Sequence, residues 1–440
     1  MVRKWCTGIT WCFYRMTTKT AQDVTALGLA ARKASRKLAR LSTEDKNRVL
    51  LNLVGLLRSD QADVLSANLS DYQEAKSDGM DESLLDRLLL TSERLNGTAD
   101  EVQRVAELTD PIGEVIETNS QPNGLITSRR RVPLGVVGSI YEARPNVTVD
   151  IFGLCLKSGN ACILRGGKET IRSNTALVSM LRKALSDAGV TTDAVQFVDN
   201  PDRALVDHLL KMNEYIDLLV PRGGASLVKF VAENATMPAV TGGIGVCHTY
   251  VDRAADLKMA AEIVHNAKVR RPSICNALDT VLVHLEIAAD GLPLIAKELT
   301  ASGVELHCDN RALSILGPDA PDLAMPANED DWGKEFLSLT AAVKVVDSLD
   351  DALEHIETYG SGHSEAIITE DDAAATRFLG EVDAAAVYVN ASTQFTDGGQ
   401  FGLGAEVGIS TQKFHARGPM GLKELTSYKW VIVGKGHVRP

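Results

Sequence analysis

Aromatic residues make up only 5% of the 440 positions, and no apolar run is long enough to span a bilayer. A protein embedded in the membrane through helices is therefore not expected. A basic excess is missing too: 46 Lys and Arg stand against 58 Asp and Glu, a formal net charge of -12, with a sequence pI near 5.3. That balance disfavours a binder of nucleic acid or of anionic membranes. Paired cysteines are also lacking. The seven fall singly at 6, 12, 155, 162, 247, 275 and 308, with no Cys-x-x-Cys and no Cys/His ligand spacing, so no metal site is expected. An odd count in so long a chain argues against a secreted disulfide framework, and a reducing cytoplasm is the expectation. There is no internal repeat and no low-complexity tract.

What is present suits a soluble α/β protein of two or three domains. Hydrophobic residues are 45%, charged residues 24%, and 35 glycines supply tight turns between strands and helices. The opening "MVRKWCTGITWCFYRMTTKT" has basic residues and no acid. It admits two readings, an organelle-targeting segment or a start placed too early with Met16 as the true first residue; the second is preferred, and residues 1–16 are set apart as an extension.

From Thr20 to Ala106 apolar residues recur at helical spacing, and Ser42 followed by Asp45 resembles an N-terminal cap. "EVIETNSQPNGLITSRRRV" reads as two strands about a turn at Pro122-Asn123-Gly124. Strand and helix signals then alternate: "LGVVGSIY", a helix ending at Gly159, "ACILRGG", a long helix, "AVQFVD", "IDLLVPRGG", a further helix, and "MPAVTGG" as a strand. This rhythm predicts a doubly wound parallel sheet with ligands at the carboxyl ends of its strands. A second α/β unit begins near Cys247, with "GPDAPDLAMPANEDDWG" as an acidic, Pro-rich loop and a tail from Ser392 to Gly421 rich in Gly and polar residues.

Two basic glycine turns follow strong strand signals: Gly166-Gly167 between Arg165 and Lys168, and Pro221-Arg222-Gly223-Gly224 before a helix. Either alone fits ordinary strand-to-helix geometry. Together they point to a nucleotide, because glycine lets the backbone approach a phosphate and a helix N-terminus offers free N–H groups. No G-x-G-x-x-G follows the first strand. Cys275 follows Arg270, Arg271 and Pro272 and precedes the strand-like "ALDTVLVH". A lone cysteine usually fills a core, as expected for Cys155 and Cys162, but nearby positive charge at a turn favours a thiolate, so nucleophile and core-filler are both open. Asn146, just past a strand, reads either as a helix cap or as an amide donor to an oxyanion. His208, His265, His284 and His355 read as ordinary helix or strand residues.

The strings "RRVPLGVVGSIYEARPNVTVD", "LKSGNACILRGGKET", "YIDLLVPRGGASLVKF", "TGGIGVCHTYVD", "NAKVRRPSICNALDT" and "VNASTQFTDGGQFGLGAEVGISTQKFHARGPMGL" together resemble the aldehyde dehydrogenase superfamily and, within it, the γ-glutamyl phosphate reductase family, from roughly Ala21 onward. The resemblance implies an aldehyde dehydrogenase-like fold. A doubly wound NADP-binding domain would take residues 17–113, 134–246 and 393–426, an α/β catalytic domain 247–392, and an oligomerisation element 114–133 with 427–440. It implies NADPH-dependent reduction of L-glutamyl 5-phosphate to L-glutamate 5-semialdehyde in proline biosynthesis, with Cys275 as nucleophile and Asn146 as oxyanion donor. Arg165, Gly166, Gly167, Lys168, Pro221, Arg222, Gly223, Gly224 and Glu335 would hold the cofactor. Arg144, Arg270, Arg271, Ser392, Thr393, His415 and Arg417 are the candidates for a substrate anionic at both ends.

The chain departs from ordinary aldehyde dehydrogenases in having Val240 or Thr241 where the superfamily carries a general-base Glu, as suits a reductase that must not hydrolyse its thioester. Lys168 replaces a ribose-binding Glu, which favours NADP(H) over NAD(H). A homodimer or homotetramer is expected. The substrate would come from a glutamate 5-kinase, whose domain is absent here. Two alternatives stand beside this reading: a hydrolytic semialdehyde dehydrogenase, and a catalytically dead paralogue.

Overall fold

The structure is a computed structural model that describes residues 8–242, 244–317 and 322–439. The expectations for residues 1–7 of the extension lie outside the described residues. The chain divides into two compact units, Met1–Thr241 with Gly402–Gly408 and Met420–Pro440, and Gly242–Phe401 with Ile409–Pro419.

The first unit begins with helices, among them Gly8–Leu38, Thr43–Ser59, Ala62–Ser77 and Ser92–Glu107. The apolar spacing of "VLLNLVGLL" gives Thr43–Ser59 one buried face of Val49, Leu50, Leu53, Val54 and Leu57. Ser42 caps it as expected, accepting the Asp45 N–H at 3.1 Å. Four parallel strands follow in the order Val195–Phe197, Ala161–Arg165, Val136–Tyr141, Leu218–Arg222. The chain starts in the interior at Val136–Tyr141, winds outward twice on one side, then crosses to the other. The order therefore reverses between Val136–Tyr141 and Leu218–Arg222, and a crevice opens at such a reversal beyond the strands' carboxyl ends. Those ends are Tyr141-Glu142 and Arg222-Gly223.

The helix Val147–Lys157 stops where expected, with Gly159 at φ +76°; a Cβ there would press on Pro133 Cγ at 2.9 Å. "MPAVTGG" is not a full strand. It makes a single parallel bridge, Leu219 to Ala239, because Pro238 has no N–H to extend a ladder. The hairpin Val115–Ser120 and Ile126–Pro133 forms as predicted, with Gly124 at φ +88°, and Thr426–Val433 adds antiparallel to its second strand. This small sheet groups with the first unit.

The second unit is built on a seven-stranded sheet in the order Ala324–Pro326, Glu305–Cys308, Thr340–Val346, Leu278–His284, Cys247–Val251, Ser364–Ile368, Ala386–Val389, parallel throughout. Leu257–Val269 and Leu285–Ala301 cover one face, burying Val264, Leu292, Ile295 and Leu299 against Leu278, Val281 and Val283. The Pro-rich loop differs from its expectation. Its described part contains the edge strand Ala324–Pro326, where Pro326 costs no central hydrogen bond; residues 318–321 lie outside the described residues. The boundaries differ too. Gly242–Val246, 393–401 and 409–419 group with the second unit. Gly245 N–H and Val246 N–H are held by Glu335 and Ser361, and Thr393 by the carbonyl of Asn276.

Candidate active site

In the second unit the helix Leu257–Val269, capped by Asp256 on the Met259 N–H at 2.8 Å, delivers the chain to Arg270. Pro272 ends the helical run, and the strand Leu278–His284 begins after a turn closed by Ala277 N–H on Ile274 O at 3.0 Å. Cys275 lies on that turn. Among the described cysteines it is half-buried, while Cys155, Cys162, Cys247 and Cys308 are buried. Burial pushes the Cys308 thiol up to about 12 and holds Cys247 well above the ordinary thiol value, which makes both inert at neutral pH.

The turn is braced on every side that the second unit offers. Asn276, next to the thiol, is buried and donates to Thr396 O at 2.9 Å and to Gln394 O at 3.3 Å. Its own carbonyl accepts the Thr393 hydroxyl at 2.7 Å. Gln394 Nε2 donates to Ala267 O at 2.8 Å, and Arg270 donates to Gln394 Oε1 at 3.1 Å. The Cys247 thiol donates to the Cys275 carbonyl at 3.3 Å. Gly245 lies so close that a Cβ on it would overlap that carbonyl, and its N–H donates to Glu335 Oε1 at 3.0 Å. Burial raises the Glu335 carboxyl above its ordinary value.

Part of the substrate set also makes contacts within the fold. Thr393 is fully buried and Ser392 nearly so; Ser392 caps the short helix Thr393–Phe395, and the Thr393 hydroxyl is given to the Asn276 carbonyl. Arg417 is engaged by Asp383, through its carboxylate and through its carbonyl at 3.0 Å. His415 is exposed on a left-handed backbone at φ +76°. Arg270 and Arg271, just before Cys275 in the chain, are exposed.

In the first unit, the two glycine turns lie at the carboxyl ends of Ala161–Arg165 and Leu218–Arg222, the strands that flank Val136–Tyr141 on either side. A buried chain of hydroxyls and an amide fixes the Gly166-Gly167 turn: Tyr141 to Thr148 at 2.6 Å, Thr148 to Asn174 at 3.0 Å, Asn174 to Thr170 at 2.8 Å, and Thr170 to Gly167 O at 2.9 Å. Any side chain at Gly166 would meet Asn174 and Thr170. Arg165 is half-buried at the strand end, with its Nε buried and lacking a hydrogen-bond partner, while Lys168 is exposed. Gly224 sits at the N-cap of Ala225–Asn234 with open space beside it. Arg222 ends the strand beginning at Leu218, and Pro221 is buried in it. A guanidinium that bonds Pro201 O through one nitrogen at 3.1 Å and leaves its Nε unbonded, a side-chain-free turn and a helix N-terminus fit a phosphate-bearing nucleotide.

Two acids that bond around these turns escaped the sequence reading. Glu142 accepts the Gly224 N–H at 3.1 Å, and Glu169 accepts the Ala143 N–H at 2.8 Å, where Ala143 has φ +43°. Their signal was present, since each stands directly beside a recognised motif. Arg144 follows Ala143 and is half-buried. Asn146 makes no capping bond; it donates one amide hydrogen to Asp150 Oδ2 at 2.9 Å. Burial pushes Asp150 up to about 7, against the opposing pull of Arg222 and Asn146. Among the described residues no helix is long and apolar enough to cross a membrane, and no group of three His, Cys, Asp or Glu could hold a metal ion.

The aldehyde dehydrogenase family model matches residues 10–313, more than half of the chain. A γ-glutamyl phosphate reductase of Dehalococcoides mccartyi is 56% identical over 409 residues, covering 93% of this chain and 96% of the relative. One from Escherichia coli is 54% identical over 413 residues, covering 94% and 99%. The crystal structure of γ-glutamyl phosphate reductase from Thermotoga maritima superposes with a TM-score of 0.92 at 47% identity, covering 94% of this chain and 99% of that one. The resemblance seen in the motifs thus extends over nearly the whole chain, and the chain belongs to the aldehyde dehydrogenase family and, within it, to the γ-glutamyl phosphate reductases.

Proposed function

We propose that this chain reduces L-glutamyl 5-phosphate to L-glutamate 5-semialdehyde, releasing phosphate, with NADPH as reductant and a Cys275 thioester as intermediate. The observation that carries this reading is the Cys275 turn, a half-buried thiol on an immobilised backbone that follows the exposed Arg270 and Arg271 in the chain. A fixed thiolate beside positive charge is suited to attack an acyl phosphate. Its sulfur bonds to the acyl carbon, the C–O bond to phosphate breaks, and the electron pair leaves with the phosphate. Arg270 and Arg271 are the charges nearest in sequence to receive that anion, and Asn146 has the amide for the oxyanion.

Arg165, Lys168, Arg222 and the Gly166-Gly167 and Gly223-Gly224 turns would hold the dinucleotide, with Lys168 favouring a 2′-phosphate and Glu335 toward the nicotinamide ribose. Bound there, the reduced nicotinamide supplies the hydride that converts the thioester to the aldehyde. Cys275 leaves as thiolate, ready for another turn. Val240 is buried and Thr241 brings no carboxylate, so neither can activate a water against the thioester. The small antiparallel sheet exposes Val115, Ile116, Ile126, Tyr428, Trp430, Ile432 and Val433, which suits a subunit contact in a homodimer or homotetramer.

The reverse reaction tests the reading. Glutamate 5-semialdehyde is mixed with NADP+ or NAD+, with and without inorganic phosphate, and the reduced cofactor is followed by absorbance. The expected result is reduction that needs phosphate, prefers NADP+ and disappears in Cys275→Ala. Equal rates without phosphate would make water the acceptor and the protein a hydrolytic dehydrogenase. No activity in the wild-type chain would favour the dead paralogue.

A further inference from the structure

We propose that Lys268 and Asp279 are positioning residues for Cys275, acting through Phe336, Glu335 and Gly245. The proposal rests on the reading of Cys275 as the nucleophile. Lys268 stands on the helix that enters the Cys275 turn and Asp279 on the strand that leaves it. Their side chains meet at 3.4 Å, Nζ to Oδ1, with relative exposures of 0% and 2%. The ammonium also lies 5.7 Å from the centre of the Phe336 ring. Asp279 Oδ1 accepts the Phe336 N–H at 3.1 Å. The preceding residue, Glu335, accepts the Gly245 N–H at 3.0 Å, and Gly245 lies directly against the Cys275 carbonyl. The links form an unbroken path from the buried pair to the thiol's own backbone.

The choice of residues needs this path to explain it. A buried ion pair holds a helix to a strand no better than two well-packed apolar side chains, and often worse, because both charges lose their water. Burial accordingly lowers the Lys268 ammonium and raises the Asp279 carboxyl. Apolar side chains could not accept the Phe336 N–H. That N–H belongs to an irregular stretch, Gly333–Leu339, outside helix and strand, in which Leu337 has a left-handed backbone at φ +53°. A carboxylate kept charged by a lysine is the strong acceptor that such a stretch requires. Holding Phe336 fixes Glu335, and Glu335 fixes the loop that backs Cys275.

The test separates positioning from simple packing. In the double variant Lys268→Met/Asp279→Leu the pair is replaced by apolar side chains, so the melting temperature should stay within about 3 °C of wild type. The anchor for Phe336 is gone, so the rate of Cys275 alkylation by iodoacetamide, read on its peptide by mass spectrometry, should change by about tenfold or more, and kcat should fall by a similar factor. Lys268→Arg, which keeps the charge, should stay within about threefold of wild type on both readouts. A double variant with wild-type melting, alkylation and kcat overturns the proposal. If the double variant does not fold, Asp279→Asn decides, because it keeps the shape and removes the charge: kcat and alkylation should shift about fivefold or more, and unchanged values overturn the proposal. Alkylation needs no substrate, so it stands even if glutamyl phosphate proves the wrong substrate. Cys275→Ala with full activity would instead sink the underlying reading.

Discussion

The Cys275 turn and the Gly223-Gly224 turn are both short connections between a helix and a strand, yet they are held in opposite ways. The first is gripped by neutral groups: Asn276, Thr393 and Gln394 make carbonyl and hydroxyl bonds in a buried setting, and Gly245 fills the last space behind it. The second is exposed, with nothing within 4 Å of the place a Gly224 Cβ would take, and its N–H is held by one exposed carboxylate, Glu142. A nucleophile benefits from a position that does not relax. A turn meant for a diffusible anion must yield its N–H groups to the ligand, and a surface carboxylate is an acceptor that a phosphate can displace.

The largest effect should come from putting the same methyl group behind the first turn and on the second. Gly245→Ala drives a Cβ into the Cys275 carbonyl, and the expected result is a loss of more than about 3 kcal/mol in stability or about 10³-fold in kcat. Gly224→Ala meets open space at φ -68°. Its melting temperature should move by less than about 2 °C, while NADPH affinity falls by about tenfold as the methyl crowds the phosphate. Thermal melts and fluorescence titration of NADPH check the pair. If the two variants melt alike, the contrast between the turns is lost.

A smaller effect sharpens the comparison from the acid side. Glu142→Gln removes a negative charge that competes for the Gly224 N–H, so NADPH should bind about threefold to tenfold more tightly. An unchanged dissociation constant would mean that Glu142 does not stand in the phosphate's way.

The smallest concerns Asp150, beside Asn146. Its carboxyl ionises near 3.8 in an unfolded chain but stays neutral to about 7 in the fold. Folding therefore takes up a proton between those values, stability falls as pH rises across that window, and the loss is complete above it. Asp150→Asn should raise the melting temperature by about 2 °C at pH 8 and leave it nearly unchanged at pH 4. A rise of equal size at both values would assign the effect to packing instead of charge.

Much of the fold was legible because local chemistry punctuates it. Ser42, Gly159 and Gly124 mark ends and turns by their own backbone preferences, and the alternation of apolar runs fixed the parallel sheets. The strand Ala324–Pro326 was hidden because its prolines and acidic surroundings read as loop, and edge strands tolerate both. Within the site, Cys275 and the glycine turns could be found from adjacent residues. Lys268 and Asp279 could not be paired, since only a helix, a turn and a strand bring them together. Gly245 and Glu335 are 90 positions apart, and no local pattern joins them. Thr393 and Arg417 are ligand candidates by residue type alone; the bonds they make to Asn276 and Asp383 are visible only in three dimensions.

The small antiparallel sheet carries a consequence for synthesis. Its middle strand, Ile126–Pro133, pairs on one side with the neighbouring hairpin strand and on the other with Thr426–Val433. Ser128 and Val431, which face each other there, are 303 positions apart. While the ribosome makes everything between them, that strand offers an open row of N–H and C=O groups to any other nascent chain. A polypeptide released before Thr426 would keep this open edge permanently. Translation errors near the 3′ end of the message should thus be costlier in aggregation than their small share of the fold suggests.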